Sequence, residues 1–120
     1  MDPGKMDERI DKMAERLMRE LDGSPEQRAQ VSSIAKAAAR DMAPIAEQAR
    51  SARKQAVELL RASTIDKAAV EALRAQQLNL ADTASRRATQ AMTEIAEVLT
   101  PEQRAKAARW LESRAERRRG

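Results

Sequence analysis

The chain has 120 residues, 35% of them charged, a net charge of +4, and aromatics at 1%, Trp110 being the single one. Histidine, cysteine and tyrosine are absent, which removes the usual general bases, the thiol nucleophile and most transition-metal ligands; no enzymatic activity, bound metal or cofactor is expected. No apolar run approaches the roughly 18 residues of a membrane span, and with half of the apolar residues alanine a thick globular core is excluded, leaving a thin all-α object.

A first helix is predicted from Met6 to Glu20, because Met6, Ile10, Met13, Leu17 and Leu21 recur at helical spacing. Asp22-Gly23 ends it, with the glycine as C-terminal punctuation. Ser24-Pro25-Glu26-Gln27 then reads as a helix start: a hydroxyl N-cap, proline at the first helical position, and glutamine at N3 closing a capping box.

The second helix is predicted from Pro25 to about Arg61. Its apolar positions Val31, Ala35, Ala38, Met42, Ile45, Ala49, Ala52, Ala56 and Leu59 step alternately by four and three, which is a coiled-coil seam. At about 1.5 Å per residue it would reach roughly 55 Å. Pro44 removes one backbone hydrogen bond within it, so a bend near residues 40–44 is expected.

Ser63, Thr64 and Asp66 mark the next start after a short link, and short links between long helices make antiparallel neighbours. The third helix is predicted from Ile65 to Leu99, with Val70, Leu73, Leu80, Ala84, Ala91, Ile95 and Val98 on one stripe. Gln77 interrupts that stripe, and a register shift is expected near Arg87.

Thr100-Pro101-Glu102-Gln103 repeats the earlier capping phrase and opens a fourth helix, on which Ala107, Trp110, Leu111 and Arg114 share a side. Residues 101–120 carry seven cations against three carboxylates, so the whole net charge belongs to this tail. Basic charge confined to one end, with no aromatic or motif support, argues against a nucleic-acid partner. The chain is expected to be one domain over residues 1–120, with 1–5 and 116–120 flexible.

Two long helices sharing one seam leave apolar surface wet in a monomer, so a homodimer is expected. Beside the seams lie Lys67, Arg74, Leu78, Ala81, Ser85 and Met92 on the third helix, and Ala46, Arg50, Arg53 and Val57 on the second. A flank that mixes cationic heads with apolar groups attracts acidic, partly unfolded chains without demanding one shape. Arg50, Arg53, Arg74, Leu78 and Met92 are the candidate contact residues. Met6, Met13, Met18, Met42 and Met92 offer thioethers of the kind that bind Cu(I), although gap-filling is their commoner use.

Leu99-Thr100-Pro101-Glu102-Gln103 resembles the LTxxQ motif of the Spy/CpxP family, and Leu21-Asp22-Gly23-Ser24-Pro25-Glu26-Gln27 resembles its earlier copy with one inserted residue and serine for threonine. The caps Ser24, Gln27, Leu99, Thr100 and Gln103 are therefore motif positions as well. The resemblance implies an all-α, cradle-shaped, periplasmic dimer built on a curved helical hairpin with two shorter helices. It further implies binding of unfolding client proteins without ATP. Metal-responsive envelope-stress sensors share the family, which makes a sensor or accessory role the alternative. A purely structural coiled-coil module is a third possibility. The opening Met1-Asp2-Pro3-Gly4-Lys5 has no apolar signal segment, so the chain is expected to be either cytosolic or the mature part of an exported precursor.

Overall fold

A computed structural model describes residues 2–119. Among them are four helices and no strand: α1 (Pro3–Leu21), α2 (Pro25–Arg61), α3 (Lys67–Val98) and α4 (Pro101–Arg119). The all-α expectation holds. Helix boundaries shift where capping chemistry differs from the simplest reading.

Helix α1 starts three residues before Met6, because Asp2 is an extended N-cap whose carboxylate accepts from the Gly4 N–H, and Pro3 opens the first turn. Its C-terminus corrects the assumed role of Gly23. Asp22, at φ 53°, takes the left-handed position, and no glycine among the described residues has positive φ. The Gly23 N–H closes the turn on the Met18 carbonyl at 2.8 Å. Gly23 is needed for space instead, since a Cβ there would overlap Met18 Sδ.

Helix α3 starts at Lys67, two residues after Ile65. Its cap is Asp66, whose Oδ1 accepts from the Ala69 N–H at 3.0 Å, whereas Ser63 and Thr64 are exposed in the link. Helix α2 has the expected bounds and remains helical through the exposed Pro44.

The described chain gathers into two compact units, Met1–Ala37 with Ala91–Gly120, and Ala38–Gln90. In the first, Ala14, Met18, Leu21, Val31 and Leu99 form the core, with Leu17, Ile95, Val98 and Ala107 packed against it. The inward row of α1 is Ile10, Ala14, Met18 and Leu21. Met13, expected inside, is 69% exposed. A polar junction fixes α1 on α2: the Ser32 hydroxyl donates to Asp11 Oδ1 at 2.5 Å, and Lys36 Nζ reaches the same oxygen at 2.9 Å. On α4, Ala107 is half-buried, whereas Leu111, which the sequence places on the same side, is 57% exposed.

In the second unit the α2 and α3 segments run antiparallel. Asp41 of α2 meets Arg87 of α3, while Leu59 and Leu73 line one groove nearer the link. Every seam position read from the sequence of α2 is buried or half-buried, Ala52 completely. The α3 row differs. Val70 points outward and Ala69 occupies the inward position, followed by Leu73, Gln77, Leu80, Ala84 and Arg87. Arg87 therefore stands in the row and no register shift is needed: its stem packs along the seam and its Nε donates to Asp41 Oδ2 at 2.7 Å. Alanine-rich contacts of this kind bury little area each, far below the roughly 1.5–3 kcal/mol of a buried leucine.

Candidate functional site

The two capping phrases meet in the first unit. Ser24 Oγ accepts from the Gln27 N–H at 3.1 Å, and Gln27 Oε1 accepts from the Ser24 N–H at 2.9 Å. Thr100 and Gln103 repeat the arrangement at 3.1 and 2.9 Å. Each box satisfies donors that a helix start leaves open.

A capping box uses only the glutamine's carbonyl oxygen. Its NH₂ group keeps two donors, and here both are engaged. Gln27 Nε2 donates to Gln103 Oε1 at 2.8 Å and to the Val98 carbonyl at 3.1 Å. Gln103 Nε2 donates to Gln27 Oε1 at 3.1 Å and to the Leu21 carbonyl at 3.4 Å. The buried Leu21 and Leu99 sit in the adjoining core. In each phrase the leucine is thus a core side chain, the hydroxyl is a cap, and the glutamine ties its helix start to the other one and to the last carbonyl of the helix that leads into that other start: Gln27 to Val98 of α3, Gln103 to Leu21 of α1.

The expected contact residues lie elsewhere. Arg50, Arg53, Arg74 and Leu78 belong to the second unit and Met92 to the first, all exposed. Arg50 is held by Glu47 at 2.6 Å, and Arg74 makes a two-bonded pair with Glu71 at 2.6 and 2.9 Å. These hydrogen bonds lower the Glu47 and Glu71 carboxyls below their ordinary values, and the Glu71 bond raises Arg74. Arg50 and Arg74 are therefore locally neutralised, leaving Arg53 as the one of the three outside the ion pairs seen among the described residues.

Near the α2–α3 link and along α3 the second unit exposes large apolar groups. Val57, Leu60, Ile65, Val70 and Leu78 are 45–76% exposed. Leu60 directly follows a seam leucine, and Ile65 sits in the link, so neither carries a periodic signal. Cations are interleaved with them: Arg53, Lys54 and Lys67 are exposed, while the exposed Arg61 is paired with Glu58 at 3.3 Å.

The family model described as LTXXQ motif family protein matches residues 5–110, which spans both capping phrases and everything between them. The chain belongs to the LTXXQ motif family. That family comprises the Spy/CpxP-like periplasmic proteins. No curated protein and no solved structure matches the chain.

For a member of the LTXXQ motif family, this geometry gives the motif a structural meaning: it is a two-part clasp within the fold. The methionines divide by position. Met18 is a core residue and Met6 and Met42 are half-buried, whereas Met13 and Met92 are exposed. Among the described residues no group of three or more histidine, cysteine or acidic side chains is placed to hold a metal ion. Among the described residues no helix is long and apolar enough to cross a membrane.

Proposed function

We propose that this protein is an ATP-independent periplasmic chaperone of the holdase type, non-catalytic, that captures unfolding or aggregation-prone proteins. The observation carrying the proposal is the second unit's exposed surface, where Val57, Leu60, Ile65, Val70 and Leu78 are interleaved with Arg53, Lys54 and Lys67. Membership of the LTXXQ motif family supports it, because that family comprises the Spy/CpxP-like periplasmic proteins.

Capture proceeds in two stages. Flexible cations draw in acidic chain segments over about a Debye length, roughly 10 Å at ordinary salt. Separated apolar side chains then hold whatever hydrophobic groups the client exposes. Because these groups stand out from helices and do not line a shaped cavity, many sequences fit weakly and none fits uniquely. Arg53 and Leu78 contribute most, since Arg50 and Arg74 are already engaged by their own carboxylates. The same wet apolar surface favours a homodimer in solution.

The proposal is tested by fluorescence anisotropy of a labelled, permanently unfolded protein, reduced and carboxymethylated, against its native counterpart. Salt-sensitive binding of the unfolded form alone is expected without nucleotide. Equal binding of both forms, or of neither, contradicts it.

A further inference from the structure

A separate surface lies in the first unit, where α1 and α4 flank a groove of about 420 Å³. Its apolar lining is Met13, Leu17, Leu21, Ala107 and Trp110. Leu21 and Leu17 belong to or pack on the core, so the floor is fixed. Met13 and Trp110 stand above it, 69% and 37% exposed. A flexible thioether and a broad indole over a fixed apolar floor form an adaptable anchor site.

The rim decides the charge of the occupant. It carries Arg16, Lys106 and Arg109 against Glu20. Lys106 is taken up by Asp22 at 3.0 Å, whereas Arg16 and Arg109 are exposed and lie outside the ion pairs seen among the described residues. Arg114 adds a further cation 4.7 Å from the Trp110 ring centre. The net positive charge of the chain belongs to residues 101–120, which include the helix that forms one wall of this groove.

We propose that the α1–α4 groove is a docking site for an acidic amphipathic helix of a partner protein. Both walls are helices with their backbone groups bonded internally, so there is no sheet edge for an extended segment to extend. What the walls offer is side-chain anchorage at helical spacing, which suits an apolar face at i, i+3, i+4 and i+7. Carboxylates flanking that face would meet Arg16 and Arg109. The proposal does not rest on the holdase reading, since it invokes residues of the other unit and a formed helix as the ligand.

Trp110 is the chain's single tryptophan, so its emission reports directly on the groove. The probe is a synthetic, tryptophan-free helical peptide with leucines on one face and glutamates on the other. Its controls are the lysine counterpart and a proline-interrupted isomer. The acidic helix is expected to give a saturable blue shift and to bind at least about tenfold more tightly than either control. Added salt should weaken this binding. The R16E/R109E double variant should reverse the preference towards the lysine peptide, and Met13→Glu should weaken binding at least about tenfold; both alter exposed positions, and circular dichroism checks their helicity.

No saturable shift, an equal response to the controls, or unchanged preference in R16E/R109E overturns the proposal. So does a blue shift that grows with protein concentration alone together with dimer mass in sedimentation, because a second copy would then fill the groove. Capture of unfolded protein by Met13→Glu, measured in parallel, separates failure of this site from failure of the holdase reading.

Discussion

The side chains of Gln27 and Gln103 donate to one another, Nε2 to Oε1 in both directions, at 2.8 and 3.1 Å. These residues are 76 positions apart in sequence, and each also caps its own helix. One amide therefore serves local and long-range structure at once. No other side chain of that length supplies two donors and a shared acceptor together.

Gln103→Glu keeps an oxygen for the Thr100 N–H but deletes both donated bonds and sets a carboxylate against Gln27 Oε1. A loss of about 2–4 kcal/mol in urea unfolding is expected, more than the ordinary cost of one hydrogen bond. Alanine at both positions, analysed as a double-mutant cycle, should give a coupling energy of about 1–3 kcal/mol. Additive single effects would show that the two glutamines act independently.

Gly23→Ala forces a methyl group into Met18 and should cost about 1–3 kcal/mol, as overpacking does. Asp22→Gly, at the left-handed position itself, should change stability by less than about 1 kcal/mol. It relieves backbone strain but loses the exposed link to Lys106. Thermal unfolding of the two variants decides between space and backbone conformation as the reason for the glycine.

Among the described residues the buried Nη1 of Arg87 has no hydrogen-bond partner, and its Nε pairs with the largely exposed Asp41. Arg87→Leu should be neutral or stabilising by about 1 kcal/mol, because an apolar residue would continue the seam. Asp41→Ala leaves the guanidinium without its carboxylate and should destabilise by about 1–2 kcal/mol. Chemical denaturation that ranks the two variants the other way would show the ion pair to be net stabilising.

Asp11 should make stability fall in acid. The Ser32 hydroxyl, then Lys36, hold its carboxyl below the ordinary value in the folded chain. The unfolded state therefore takes up the proton first, near pH 4, so this contribution is full above that point and is lost as pH falls through the lower folded value. Melting temperature followed from about pH 6 to 2 should drop less steeply in Asp11→Asn than in the parent; parallel curves would contradict the assignment.

Legibility followed the range of the interactions. Both copies of the capping phrase, and with them the starts of α2 and α4, depend on residues within one helical turn, so they were readable directly. The α2 seam was readable because small side chains at every third or fourth position have few other uses. Val70 and Met13 were misplaced because α1 and α3 each offer an alternative inward row, Ala69 for one and Ala14 with Met18 for the other. Hydropathy favours the larger side chain, while close packing favours the smaller. The charge of Arg87 hides its apolar stem and so suggests a register shift that the structure does not need. The glutamine pair was the deepest miss, although two capping boxes each leave an NH₂ group with nothing local to bind. The exposed Leu60 and Ile65 had no periodic signature at all, so this part of the proposed capture surface emerged only in three dimensions.

The central claim is tested most directly by light scattering from a chemically unfolded client diluted into nucleotide-free, low-salt buffer with this protein present. The account predicts suppression of aggregation near stoichiometric ratios, reduced severalfold in an R53E/L78D variant and at high salt. Aggregation as fast as in buffer alone, or protection undiminished by that variant, would contradict it.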